Sequence, residues 1–310
     1  MTIVIPTPAN QLPHTMPTNS NLPGVNVLLE GPSGTGKTYS IGTFVDACPD
    51  WQFFYLALEP GMESLLGYWV DAGKPIPPNL HWHYLRPPAI GFENLIENAT
   101  KINTMSLDVL SKWQDPNRSK HTQFIELLGV LNNFTDQRTG EVFGPVDSWG
   151  TDKVLIMDPL TGMNHIAMSL IVGGKPVKSQ SDWGQAMDQI EKLLRQLTDG
   201  CRCHFVLTAH IERETDQVLG GSKITVSTLG AKLAPKIPPM FSDVILTKRD
   251  GKDWWWDTAN PQADLKSRNL PSAEKIKPDF GQIVQKWKSR NSAGLADLSG
   301  VSVAFDLARR

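Results

Sequence analysis

The stretch Val25–Gly42, VNVLLEGPSGTGKTYSIG, decides the reading of this chain. An apolar run enters a segment crowded with glycine, and a lysine and a threonine close it. Gly31, Pro32, Ser33, Gly34, Thr35, Gly36, Lys37 and Thr38 fit G-x-x-x-x-G-K-[ST], with Tyr39 next. Glycines let successive backbone N–H groups turn inward toward phosphate oxygens. A helix beginning near Gly36 adds its positive end. Lys37 supplies a point charge for the outer phosphates, and the Thr38 hydroxyl ligates magnesium. A glycine-rich turn without a ligand is the plain alternative. The apolar strand leading in and the amphipathic helix leading out favour a cradle for a nucleoside triphosphate.

Outward from this loop, short apolar runs alternate with helical patterns, which predicts a parallel sheet with helices on its faces. The expected strands are Val25–Glu30, Gln52–Leu58, Leu80–Leu85, Lys153–Asp158 and Cys203–Ala209. Expected helix faces are Ile41, Phe44, Val45 and Cys48; Phe124, Leu127, Leu128, Leu131 and Phe134; and Met187, Ile190, Leu193, Leu194 and Leu197. DVILTKRD and KDWWWDTA flank Asp250-Gly251 as a hairpin, which predicts antiparallel strands added at one sheet edge.

Composition narrows the class. The 310 residues suffice for one large domain or two small ones. Thirty Lys and Arg against 32 Asp and Glu give a net charge of -2, so nucleic-acid binding requires a local basic patch. No apolar run approaches a membrane span. Met1–Gly24 lacks a basic start followed by an apolar stretch; it reads as an extended arm and not an export signal. Cys48, Cys201 and Cys203 make no disulfide framework, and C-x-x-C zinc spacing is missing, so a reduced cytoplasm is expected.

A phosphate loop needs an acidic partner for magnesium. Asp158, ending KVLIMD, would sit at the C-terminal mouth of a buried strand, where open α/β sheets bind ligands. A helix cap is its alternative role. Glu59 closes FFYLAL at the tip of the strand after the loop helix and is placed to polarise an attacking water. His210, ending FVLTAH, is placed to sense the terminal phosphate, with Thr208 a weaker candidate.

This ordered set, GPSGTGKT, LALEPG, VLIMDP and LTAHIERE, resembles the RecA-like branch of P-loop ATPases over about residues 25–270. More narrowly it resembles the phage ATPases linked to single-strand annealing and recombination, through FTDQRTGEVFG, SDWGQAMDQIEKLLRQL and LPSAEKIKPDFG. The resemblance implies magnesium-dependent ATP hydrolysis coupled to single-stranded DNA in a homo-oligomeric ring or filament. A single-strand-binding or replication protein is a further implied partner. It places DNA against IVGGKPVKSQSDWG and IERETDQVLGGSKITVSTLG, with Lys175, Lys178, Arg213 and Lys223 as contacts. It also assigns Lys266 and Arg268 to a neighbouring subunit's nucleotide.

Two departures stand out. His210 occupies a position where many such proteins carry glutamine, and 105–152 is long for a connection, so a helical insertion is expected there. The organisation expected is an arm over 1–24, an ATPase core over 25–270 and a basic appendage over 271–310. A protein-directed ATPase, such as a helicase loader or assembly factor without DNA binding, is the principal alternative. A nucleotide-locked module without turnover and a nucleoside kinase are the others; no Arg-rich lid supports the kinase.

Overall fold

The computed structural model describes residues 22–86, 91–215 and 221–292. They divide between a body, Pro23–Trp287, and a second unit made of the two chain ends. In that second unit, the Leu22 N–H donates to Asn291 Oδ1 at 2.9 Å. The expected arm, up to residue 21, lies outside the described residues.

The body is built on an eight-stranded sheet. Five strands match the expected runs: β1 (Asn26–Glu30), β2 (Gln52–Ala57), β3 (Leu80–Tyr84), β4 (Lys153–Asp158) and β5 (His204–Ala209). A hairpin, β6 (Ile211–Thr215) with β7 (Ser222–Val226), stands apart as its own two-stranded sheet. β8 (Asp243–Asp250), β9 (Asp253–Asp257) and β10 (Lys266–Ser267) complete the main sheet. Its order is β10-β8-β1-β5-β4-β2-β3, with β9 also on β8.

All pairings from β3 to β8 are parallel, while β9 and β10 run antiparallel to β8. The expected hairpin therefore forms, but its first strand joins the parallel sheet beside β1. Only β9 and β10 make the antiparallel edge. β8 takes this place because VILT is apolar and can be buried on both faces, as a central parallel strand must be.

Alternate residues of each central strand supply two cores. Leu28, Phe54, Leu155, Met157 and Leu207 face one side, packed by α5 (Gln123–Asn132), α6 (Leu160–Val172) and α7 (Gln180–Arg195). Leu29, Phe53, Ile156 and Val206 face the other, packed by α1 (Lys37–Ala47) and α2 (Met62–Val70). The three expected helix faces are buried, apart from Met187, which is half-buried, and Leu128, which is 43% exposed one step off the Phe124–Leu127–Leu131 line.

The compact body continues past residue 270. Ile276, Phe280, Ile283, Val284 and Trp287 are buried in the second core, and Phe280 stacks on Phe44 of α1 with ring centroids 4.8 Å apart. Of the expected appendage, 271–287 pack into the body, where their apolar side chains cover α1 and β9. The short basic stretch IVQKWKSR ends at Arg290, and residues 293–310 lie outside the described residues.

In the long segment 105–152 the first part is exposed, α4 (Leu107–Lys112) burying no residue, and the later part packs on the body. The segment holds α4 and α5, then a tight loop that covers the free edge of β3. Gln137 N donates to Trp82 O at 2.9 Å, and Trp82 N donates to Asp136 Oδ1 at 3.2 Å. Asp136, fully buried, also meets His81 Nδ1 at 3.0 Å, and His81 Nε2 lies 2.8 Å from Gln52 Oε1. An edge strand with unpaired backbone groups is thereby closed off.

Candidate functional site: the mouth of the sheet

β1 ends at Glu30 and the loop from Gly31 leads directly into α1. Gly34 and Gly36 have φ of 74° and 76°, the left-handed region that glycine enters without steric cost. Here they bend the loop so that its amides line a concave surface. Thr35 Oγ1 ties the loop inward, donating to Pro32 O at 2.8 Å and lying 2.6 Å from Thr247 Oγ1 of β8.

The Lys37 ammonium donates to the carbonyls of Gly31 and Pro32, both at 2.8 Å. Two of its three donors are used, which fixes the charge at the loop's centre. Burial pushes this ammonium down to about 8, with Asp158 opposing the shift.

Asp158, at the tip of β4, gathers three hydroxyls. Thr38 Oγ1 donates to its Oδ2 at 2.6 Å, Tyr55 OH donates to the same oxygen at 2.8 Å, and Thr208 Oγ1 donates to Oδ1. The register explains the convergence: Ala57 pairs with Asp158 across β2 and β4, and Met157 pairs with Leu207 across β4 and β5. β5 thus lies between the strands carrying the loop and the carboxylate, and Thr208 reaches from it. A hard oxygen donor set of Thr38 and Asp158 suits magnesium, which takes one or two protein ligands and keeps its remaining positions for water and phosphate. The residues fit that ion.

Glu59 and His210 border the same cavity of about 450 Å3, together with Ser33, Tyr39 and Trp254. That volume falls within the range of about 300–1,000 Å3 usual for small-molecule sites. Burial raises the Glu59 carboxyl above its ordinary value; His165 works against this and Asp158 adds to it. Burial and the Lys37 charge lower the His210 imidazole, while Asp158 and the Gly31 backbone oppose the shift.

The sequence passes over Tyr55 and Thr247, and it reads Trp254 only as one of a tryptophan run packed beneath the tail or at a subunit interface. Tyr55 carries the one readable signal, a hydroxyl in an otherwise apolar strand, FFYLA. Thr247 and Trp254 come from β8 and β9, more than 200 positions after the loop, and only the sheet brings them to it.

Lys266 and Arg268 do not line this cavity. They line a second one, of about 400 Å3, with Asn26, Arg195 and Ser242, where β1 and β8 begin. Of the proposed DNA contacts, Arg213 and Lys223 lie on the β6–β7 hairpin, and Lys223 pairs with Asp264 at 3.0 Å. The hairpin tip, 216–220, lies outside the described residues. Lys178 sits over the Trp183 ring at 6.0 Å. Lys175 is buried and bonds Asp182 at 2.9 Å, holding the capping box that Ser179 and Asp182 form at the start of α7.

A family model described as an AAA domain matches residues 24–270. The chain belongs to this AAA domain family. As a P-loop ATPase by family, the AAA domain contains every element of the site, from the phosphate loop to β10. No match was found among curated proteins. Similar solved structures include the RadB recombinase, at 11% identity, covering 78% of this chain and 84% of that one with a TM-score of 0.32. The flagellar accessory protein FlaH from Methanocaldococcus jannaschii is 12% identical over 75% of this chain and 76% of that one, with a TM-score of 0.29. The assembled ATPase EscN of the enteropathogenic E. coli type III secretion system is 12% identical over 93% and 57%, with a TM-score of 0.35. No helix among the described residues is long and apolar enough to cross a membrane.

Proposed function

We propose that this AAA domain is a RecA-like ATPase that hydrolyses ATP and couples the reaction to single-stranded DNA, in phage-type recombination, annealing or replication. The observation that carries the nucleotide half is the 2.6 Å bond between Thr38 Oγ1 and Asp158 Oδ2 beside the Lys37 ammonium. Lys37 and the loop amides bind the triphosphate. Thr38 and Asp158 would hold magnesium, which when bound supplies positive charge against the phosphate oxygens. Glu59, its carboxyl raised by burial, orients the attacking water and takes its proton.

The DNA half is supported by how the hairpin is attached. His210 is followed at once by β6, and Ser227 N, just past β7, donates to His210 O at 2.8 Å. Both ends of the hairpin therefore meet at the residue placed to sense the terminal phosphate. A shift of His210 on hydrolysis moves Arg213 and Lys223 with it. In a homo-oligomeric ring or filament, Lys266 and Arg268, turned away from their own loop, serve a neighbour's nucleotide. Charges delivered from a neighbour make turnover depend on assembly.

The protein-directed reading has one observation in its favour. Phe92, Ile96 and Leu107, on α3 (Phe92–Thr104) and α4, are 84%, 65% and 73% exposed, an apolar surface suited to a protein partner. An ATPase assay with and without single-stranded DNA, at two salt concentrations, separates the readings. DNA-stimulated turnover that weakens with salt supports the DNA reading. Turnover indifferent to DNA overturns it in favour of the protein-directed one.

A further inference from the structure

β9 carries three consecutive tryptophans, and alternation along a strand sends them to different surroundings. Trp256 is buried edge-on to Phe280, with centroids 5.1 Å apart. Trp255 lies under the Lys275 ammonium at 5.6 Å. Trp254 is different: it is 45% exposed and borders the cavity of the phosphate loop.

Its position is nevertheless fixed. Arg249, its cross-strand partner on β8, places its guanidinium 5.4 Å from the indole. Beneath the indole lies Gly36 of the loop, where a Cβ atom would come within 3.6 Å of the ring. Facing it is Tyr39, 43% exposed, with the two rings inclined at 29° and centroids 6.3 Å apart. Tyr39 is in turn held edge-on by Tyr68 at 5.1 Å.

We infer that Tyr39 and Trp254 form the nucleobase subsite of the cavity, taking the flat ring of the bound nucleotide across them. This rests on the nucleotide reading above and adds to it the side chains that hold the base. Two large rings half exposed beside one cavity offer apolar area whose burial under a flat ligand is favourable. Van der Waals contact between carbon atoms is about 3.5 Å, so a ring seated between two others needs about 7 Å. At 6.3 Å the two rings stack on each other closer than that, so the base lies across their exposed faces.

The pair borders the start of α1, where Trp254 lies on Gly36 and Tyr39 follows Thr38. Among the described residues, the phenol and indole rings lining this cavity are Tyr39, Tyr55 and Trp254. Tyr55 is buried with its hydroxyl on Asp158, at the magnesium end. Tyr39 and Trp254 remain for the base. Tyr39 follows Thr38 directly, so a triphosphate seated on the loop amides carries its ribose and base out past the start of α1. Stacking is tolerant of base identity, because every base presents a π-face.

The test compares ATP with inorganic tripolyphosphate, both with magnesium, by titration calorimetry. The proteins are the full chain and its Tyr39→Ala, Trp254→Ala and Trp254→Phe variants. The inference expects each alanine variant to bind ATP about tenfold more weakly. Tripolyphosphate should bind all four proteins alike, and Trp254→Phe should recover most of the ATP affinity. Unchanged ATP affinity in both alanine variants, or equal loss for the two ligands, overturns the aromatic subsite. If the unaltered chain binds neither ligand, the nucleotide reading fails and the inference with it.

Discussion

Thr38 and Asp158, 120 positions apart, meet through a hydroxyl-to-carboxylate hydrogen bond of 2.6 Å. One residue opens the helix after the phosphate loop, the other closes a strand, and β5 separates their strands in the sheet. Nothing local requires this contact. It follows from the parallel register, which brings the C-terminal tips of β1, β4 and β5 to one line.

Because Asp158 accepts from Thr38, Tyr55 and Thr208 at once, it is held in a single orientation. Asp158→Asn removes the charge while keeping the shape. The expected outcome is ATP binding that no longer strengthens when magnesium is added, with turnover reduced at least about a hundredfold. Calorimetry with and without the ion, beside a phosphate-release assay, checks both parts.

Glu59 borders the same cavity but contributes no contact to the loop. Glu59→Gln should therefore leave the ATP dissociation constant within about twofold and reduce the turnover number by about 10²–10⁴. A parallel fall in affinity would assign Glu59 to binding and not to the water.

Glu30, 2% exposed at the base of the loop, is pushed up to about 8 by burial, with Asp264 adding to the shift. Between about pH 4.5 and 8 the folded state keeps a proton that the unfolded chain releases. Stability contributed by this group is therefore full below that window and falls as pH rises through it. Glu30→Gln should flatten the dependence of Tm on pH across this range. It should also raise Tm at pH 8, by about 2–4 °C for each kcal/mol regained.

Much of this site is legible in the chain itself. The glycines, Lys37 and Thr38 obey local chemistry, and the apolar runs ending in Asp158 and Ala209 declare buried strands. What is not legible depends on pairing across long separations. β8 reads as half of a hairpin, which it is, yet its other neighbour is β1, and no local pattern names that neighbour. Trp254 reaches the loop only through that pairing. Lys175 looks like any loop lysine until the start of α7 folds back and Asp182 captures it. Similarly, the 105–152 segment reads as an insertion, although its tight loop at Thr135–Gln137 covers the edge of β3, because an edge has no sequence of its own.

That cover gives a stability prediction. Asp136 accepts from the N–H groups of Trp82 and Arg138 and from Thr139 Oγ1, and it pairs with His81. Burial works to raise its carboxyl, but these bonds outweigh it and hold the group below its ordinary value. Its contribution is thus present at neutral pH and lost as pH falls. Asp136→Ala should cost about 3 kcal/mol in urea unfolding at pH 7, since several buried donors lose their acceptor together. At low pH the difference from the unaltered chain should shrink.

The central claim is that Lys37, Thr38 and Asp158 together grip a nucleoside triphosphate and its magnesium ion. Calorimetric titration of the purified chain with ATP, with and without magnesium and beside Lys37→Ala, tests it most directly. The account predicts saturable, near one-to-one binding that magnesium strengthens and that Lys37→Ala weakens at least about a hundredfold. No heat of binding in the unaltered chain, or equal binding by Lys37→Ala, would contradict it.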